Sequence, residues 1–239
     1  AVGRLPAALK MTRRSLYDSV ASVTYFIEKM RIIVLLIITL TCLSGMADTL
    51  KVIRLPAPIL SGGKPLMQAL KERHTSRDFQ NTPLPDQMLS NLLWAAFGIN
   101  RPALQGRTAP SAHDAQEIDI YVVMAHGAYR YNAQQHALNG VREGDLRAST
   151  GIQPFAKDAP VSLVYVADFS KFSGDSDADK HFYAAADAGH ISENVYLFSA
   201  SENLAVMVRA YIDKPALSKA LGLAPHQHIM FAQSVGYPK

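Results

Sequence analysis

Apolar residues recur along this chain at two spacings, and each spacing predicts a different element. Leu89, Leu92, Leu93, Ala96 and Phe97 fall at i, i+3, i+4, i+7 and i+8, the stripe of an amphipathic helix. They predict a helix over residues 86–98 with Gly98 as its stop. Leu66 and Leu70 share one face of a helix over 64–73, and Ile191, Val195 and Phe198 share one face of a long helix over 185–203. Asp213 as N-cap, Pro215 in the first turn and Gly222 as the stop bracket a further helix. The other spacing is two. Ile118, Ile120, Val122 and Met124 alternate with their neighbours and predict a strand over 117–124. A short strand follows over 128–131. The unbroken apolar, β-branched run 161–167 predicts a buried strand, and 228–235 predicts the last one. Helices and strands do not follow βαβ order, so the class is α+β rather than a doubly wound sheet. Residues 48–63, with Pro56, Pro58 and the Gly62-Gly63 pair, read as an N-terminal arm or linker.

One apolar run has neither spacing. Residues 32–43 carry no charge, follow Met30-Arg31 and precede Gly45-Met46-Ala47. A membrane span needs roughly 20 apolar residues, whereas a signal h-region takes about 7–15 between a positive start and small residues. Residues 30–47 therefore read as a Sec-type signal peptide cleaved after Ala47, the alternative being an uncleaved anchor. Residues 1–29 are an upstream extension or an export n-region. A start at Met11 would bring Thr12-Arg13-Arg14-Ser15-Leu16 near the N-terminus, which looks like a twin-arginine signal. The localisation expected is periplasmic or extracellular, with no membrane contact after signal cleavage.

Charge agrees with that division. Residues 1–47 hold six Lys or Arg and two Asp or Glu, which accounts for the whole net charge of +4. The remainder is balanced, so the basic pI gives no reason to expect a nucleic-acid partner. Cys42, the only cysteine, lies in the apolar run. The part after Ala47 thus excludes disulfides and thiol catalysis.

Two polar segments carry candidate chemistry. In Arg73-His74-Thr75-Ser76-Arg77-Asp78-Phe79, two guanidinium groups four apart can converge on one phosphate, which the planar guanidinium binds through two oxygens. Basic residues at a helix C-terminus also complement the helix dipole with no ligand at all. Arg107 to Gln116 is a polar loop feeding into the 117–124 strand. Its Pro110-Ser111-Ala112 backbone, with Asp114 and Gln116, could read the edge of a flat polar heterocycle, but a turn rich in Pro, Ser and Asp is equally an ordinary lead-in to a strand. Asp175, Asp177 and Asp179 have the opening spacing of a calcium loop, yet Lys180 and Ala186 stand where Gly and Glu are required, so they read as a turn and helix cap. His226 and His228 lack a third ligand, and no metal is expected. Trp94 reads as packing, and Tyr129 and Tyr131 as inward positions of a strand.

Taken together, the order and spacing of these segments resemble the FMN-dependent nitroreductase family. The family's Arg-x-Ser/Thr-x-Arg/Lys segment is matched by Arg73 to Arg77, and its Pro-Ser-Ala/Ser loop by Pro110 to Gln116. Ala128-Tyr129-Arg130-Tyr131-Asn132 followed by His136-Ala137-Leu138 looks like the branch holding the dehydrogenases of azole-forming peptide synthetases. Gly189-His190 with Asn194, then residues 203–209, resemble the late helix and the flavin-facing segment, and 235–239 the closing strand. The resemblance covers about residues 64–239.

The resemblance implies a nitroreductase-like FMN-binding fold, a central, mostly antiparallel sheet flanked by helices, in a homodimer with flavins at the subunit interface. Carried over by position, Arg73, His74, Thr75 and Arg77 would hold the FMN phosphate and ribityl chain, and Lys239 would reach the phosphate. Pro110, Ser111, Ala112 and Asp114 would approach the flavin from the partner subunit. Val208, Arg209 and Ala210 would lie along the isoalloxazine, with Arg209 stabilising the reduced, anionic ring, and His113 would touch substrate. No side chain is expected to act as nucleophile or base, because a flavin carries the hydride at N5. Asp114 stands where the family commonly has Asn, and Glu117 where it commonly has Pro. The implied activity is ping-pong oxidoreduction, from NADH, NADPH or another donor to a flat electron-poor acceptor such as a nitroarene or quinone. Two alternatives remain open: a secreted flavin-binding protein without turnover, and a flavin dehydrogenase acting on a peptide or small metabolite.

Overall fold

The computed structural model describes residues 26, 28–31 and 50–239 of the chain. The chain divides into Ala1–Asp48 and Thr49–Lys239. In the first unit, residues 26 and 28–31 are helical; the apolar run 32–43, the cleavage position after Ala47 and the twin arginines lie outside the described residues. Among the described residues, no helix is long and apolar enough to cross a membrane.

The second unit is built on a seven-stranded sheet. Its strands are β1 (Ile53–Arg54), β4 (Ile118–Met124), β5 (Gly127–Asn132), β6 (Ala137–Glu143), β7 (Val161–Asp168), β8 (Ala205–Arg209) and β9 (Gln227–Gly236). Their spatial order is β1-β6-β5-β4-β7-β9-β8, and every adjacent pair runs antiparallel. A separate small ribbon pairs β2 (Ile99–Arg101) with β3 (Gly106–Arg107).

Helices cover both faces, so the alternation read in 117–124 has an inside on each side. Ile118, Ile120 and Val122 pack with Leu89, Leu92, Leu93, Ala96 and Phe97 of α2 (Asp86–Phe97) and with Ala184, Ala188, Ile191 and Val195 of α3 (Asp177–Ser201). Tyr121 and Val123, one residue out of phase, pack on the opposite face with Leu217 and Leu221 of α4 (Lys214–Leu221). Leu92 and Leu93 are wholly buried, and each such side chain contributes about 1.5–3 kcal/mol.

The helix ends follow their local chemistry. Asp213 caps α4 by accepting the Ala216 N–H, and Gly222 closes it at φ 66°, where a side chain would be strained. α3 begins eight residues before the expected 185, because the Ser176 hydroxyl accepts the Asp179 N–H and opens a helix of 25 residues. The acidic run 175–179 is thus the lead-in and first turn of that helix. The apolar stripe was confined to its later turns, which hid the earlier start. α1 (Leu66–Glu72) is pinned to the far end of α3: Lys64 Nζ bonds Glu72, the Ala200 carbonyl and Asn203 Oδ1 at 2.7, 2.9 and 2.6 Å.

Residues 50–63 are extended, as an arm would be, but they are built into the domain. Ile53 and Arg54 pair with Leu138 and Ala137 of β6, and Leu55 enters the core.

Candidate functional site

The basic segment after α1 is threaded against the outer edge of the sheet. α1 stops when the Arg73 N–H closes on the Ala69 carbonyl. The chain then runs beside β8, whose other side alone is paired. The Ser76 N–H reaches the Val206 carbonyl at 3.0 Å, and Phe79 bridges to Pro238. This edge would otherwise present unpaired backbone groups.

Tyr196 of α3 completes that edge and was not singled out from the sequence. Its hydroxyl takes the Val208 N–H at 3.1 Å and bonds Thr75 Oγ1 at 3.0 Å. The Arg73 guanidinium lies over its ring, 5.3 Å from the centroid, a cation–π contact. One buried tyrosine therefore gathers Arg73 and Thr75 with Val208, two segments far apart in sequence. A lone tyrosine within a helical stripe reads as core, and nothing local distinguishes it.

The structure places Arg77 and His74 on the exposed side of this segment, and the His74 ring Nδ1 contacts the Glu72 carbonyl at 2.8 Å. The Lys239 N–H reaches the Asp78 carbonyl at 3.4 Å, so the last residue sits beside the segment as well. Among the described residues, neither Arg73 nor Arg77 has a carboxylate partner, and the backbone N–H groups of His74, Thr75 and Arg77 have no acceptor. Two uncompensated guanidiniums beside free N–H donors are chemically suited to a phosphate. Ala210 is exposed just past the end of β8.

Arg209 departs from its neighbours. Successive strand residues point to opposite faces, so its side chain lies across the sheet from Val208. There it is buried, 4% exposed, and hydrogen-bonded through all three nitrogens. Nε donates to the Thr150 carbonyl, one terminal nitrogen to Ser234 Oγ at 2.7 Å, and the other to Thr150 Oγ1 and Ser162 Oγ at 2.6 and 3.2 Å. Gly151 leaves room for this, since a Cβ there would meet the guanidinium. Burial away from any carboxylate pushes the Arg209 value down to about 10, and the group stays cationic at neutral pH. The guanidinium expected along the isoalloxazine is thus a structural group inside the domain.

The second segment forms a loop with unusual backbone. His113, Asp114 and Gln116 sit at φ 56°, 52° and 48°, the left-handed region that non-glycine residues rarely occupy. Each costs on the order of 1 kcal/mol, so specific bonds must hold the loop. The Ala112 N–H donates to Asp187 Oδ2 of α3 at 2.7 Å, the Gln116 N–H to Ser111 Oγ at 2.8 Å, and Ser111 Oγ to Glu117 Oε2 at 3.1 Å. Arg107 Nε bonds Gln116 Oε1 at 2.8 Å. The Pro110, His113 and Asp114 side chains are left exposed, and the His113 ring packs edge-on to Tyr183, 5.2 Å between centroids. Asp114 Oδ1 accepts from Gln116 Nε2 at 3.1 Å.

Glu117, the departure from the family's proline, is wholly buried beneath this loop. Burial, reinforced by the nearby Asp187 carboxylate, raises its value from 4.5 to about 7.

The two segments do not converge within one copy. Both are anchored on α3, through Asp187 and Tyr196, which lie nine residues apart. That is about 13 Å of rise and about two and a half turns, which puts the two anchors on opposite sides of the helix.

The rest of the surface adds no metal centre: among the described residues no group of three His, Cys, Asp or Glu could hold an ion. His226 approaches Asp168 at 3.7 Å, and His228 stacks near Phe169. Trp94 donates its indole N–H to the Ile99 carbonyl.

A large antiparallel sheet with helices on both faces, and a basic segment pinned to its edge strand, define the class. The model of the Nitroreductase family matches residues 70–237, and the chain belongs to that family. It is similar to the nitroreductase homologue MJ1384 of Methanocaldococcus jannaschii, 28% identical over 62% of this chain and 80% of that protein. A crystal structure of a nitroreductase homologue from Ralstonia eutropha JMP134 is similar at 38% identity and TM-score 0.77, covering 81% of this chain and 92% of that one. A nitroreductase homologue from Desulfovibrio desulfuricans in complex with FMN shares the fold at 20% identity and TM-score 0.53, covering 74% and 88%. Family membership makes the chain an oxidoreductase of the flavin-dependent kind.

Proposed function

We propose that this protein is an FMN-dependent oxidoreductase that passes electrons from a small-molecule donor to a flat, electron-poor acceptor, and that it works as a homodimer. The observation that carries the reading is the gathering of Arg73, Thr75 and Val208 around Tyr196, with Arg77 and Lys239 in the adjoining segments and, among the described residues, no carboxylate to neutralise the guanidiniums. FMN, when bound, supplies a two-electron carrier, so one site can serve donor and acceptor in turn. Arg73 and Arg77 hold its phosphate through charge-assisted bonds, and the free N–H groups of His74, Thr75 and Arg77 add donors. Val208 and Ala210 present the end of the edge strand to the ring. The Pro110–Asp114 loop, about 13 Å along α3 from Tyr196, serves the site of a second copy rather than its own. Asp114 offers that site an acceptor, and His113 an exposed imidazole for substrate.

Export belongs to the same proposal: residues 30–47 direct the chain out of the cytoplasm, and a native mature protein should begin at Asp48. The functional test is spectroscopic. Protein purified from flavin-replete cells should carry a flavin absorbance that NADH, NADPH or dithionite bleaches and a nitroarene or quinone restores. A flavin that stays bound yet passes electrons to no acceptor would support storage instead.

A further inference from the structure

Beneath the Pro110–Asp114 loop lie two buried carboxyls bonded to adjacent loop residues, Glu117 at the foot of β4 and Asp187 on α3, 0% and 3% exposed. Their other partners are few. Glu117 Oε2 accepts the Ser111 hydroxyl and Asp187 Oδ2 accepts the Ala112 N–H, while Glu117 Oε1 is buried with no conventional donor. The His190 ring lies 3.8 Å from Asp187 Oδ1 and is half exposed. Two adjacent carboxylates cannot both ionise in such a place, and a proton between them satisfies the orphaned oxygen. We infer that Glu117 and Asp187 share one proton and that this pair is the positioning device that holds the loop in its left-handed backbone. The importance of the loop for cofactor rests on the reading above; the proton between the carboxyls does not.

Strain and restraint oppose each other in this loop. Three left-handed non-glycine residues favour release of the loop. Opposing them are the Ala112 N–H bond to Asp187 and the Ser111 bonds to Glu117 and Gln116, of which the bonds to Asp187 and Glu117 are made directly to the carboxyl pair. Other charged groups near the pair face elsewhere. Lys171 donates to the Gln116 carbonyl, Arg107 to Gln116 Oε1, Asp114 accepts from Gln116 Nε2, and Asp168 meets Glu117 only through its backbone N–H. His113 packs on Tyr183.

Linkage turns this into a number. The folded carboxyl titrates at about 7 and a solvated one at 4.5. If opening the loop frees Glu117 to solvent, the closed-to-open ratio falls about tenfold per pH unit between those values and levels off above them. The experiment is amide hydrogen exchange of the full chain, read at Ala112 and corrected for ordinary base catalysis. Wild type should lose about tenfold protection per pH unit over that window. Glu117→Gln, which keeps the size and supplies a fixed donor to Asp187, should stay protected with no pH slope, and Glu117→Ala should be unprotected throughout. In His190→Gln the wild-type slope should persist.

A flat wild-type profile would overturn the inference, as would a slope that survives Glu117→Gln or vanishes with His190→Gln. If Glu117→Gln fails to fold, Asp187→Asn takes its place, and the wild-type slope alone still decides. FMN titration of the same samples separates the two claims: wild-type protein that shows the slope but ignores FMN keeps the carboxyl pair and loses the proposed function.

Discussion

Replacing Tyr196 with Phe removes one oxygen and leaves the ring under Arg73, so its effect can be worked out from two bonds. The Thr75 bond is cheap to lose, because Thr75 is exposed and water replaces the partner. The Val208 N–H is different. It points away from β9 on the edge strand, is only half exposed, and has the Tyr196 hydroxyl as its acceptor. A hydrogen bond contributes about 1 kcal/mol net, and a buried donor left without a partner costs about 1–3 kcal/mol. Tyr196→Phe should therefore destabilise the domain by about 2 kcal/mol, a shift in Tm of about 4–8 °C for a domain of this size. The assay is urea or thermal unfolding of the flavin-free protein, followed by FMN titration, which should weaken because Thr75 loses its anchor. A stability change within about 0.5 kcal/mol, the range of an ordinary surface substitution, would refute the view that this hydroxyl closes the sheet edge.

Three further outcomes follow from the same geometry. Arg209→Met should lower stability by about 1–3 kcal/mol through its buried hydroxyl partners while leaving FMN affinity within about threefold, checked by unfolding and titration; a large loss of affinity would put the guanidinium back at the flavin. Stability should also depend on pH through Glu117. Its folded value is raised to about 7 from 4.5, so the folded state keeps a proton that the unfolded chain has released, and unfolding is favoured as pH rises. The contribution is full below about 4.5 and gone above about 7, about 3 kcal/mol in all, and the difference between wild type and Glu117→Gln across a urea series at several pH values should show it. A coincident pair of curves would contradict it. Wild-type protein at high salt should bind FMN more weakly than at low salt, since exposed guanidiniums are screened; salt-independent titrations would point to a buried phosphate site.

How much of this could be read from the chain depends on whether a signal is local. The stripe from Leu89 to Phe97 and the alternation from Ile118 to Met124 gave α2 and β4 to within a residue, since one face of each packs against a common core. The strands β6 and β8 were not marked as strands. β6 is exposed from Gly140 onward, so it lacks a full stripe, and β8 is five residues buried on both faces. The basic segment and the loop were legible as motifs, and their resemblance to a family supplied an order. What held them was not legible. Tyr196 and Asp187 reach Thr75 and Ala112, 121 and 75 residues away, and no spacing rule reaches that far. Arg209 shows the converse: strand alternation turns its side chain to the face opposite Val208, where three hydroxyls await it.

The central claim is that paired guanidiniums clamp a flavin phosphate at the edge of this sheet. The most direct measurement is the FMN dissociation constant of the chain beside that of the Arg73→Ala, Arg77→Ala double variant, with unfolding curves to show that both fold. Wild type should emerge yellow, and the double variant should fold normally, emerge colourless and bind FMN at least about a hundredfold more weakly, as two lost charge-assisted contacts of about 1.5–3 kcal/mol each require. A double variant that stays fully loaded, or a wild type that is colourless and ignores added FMN, would contradict it.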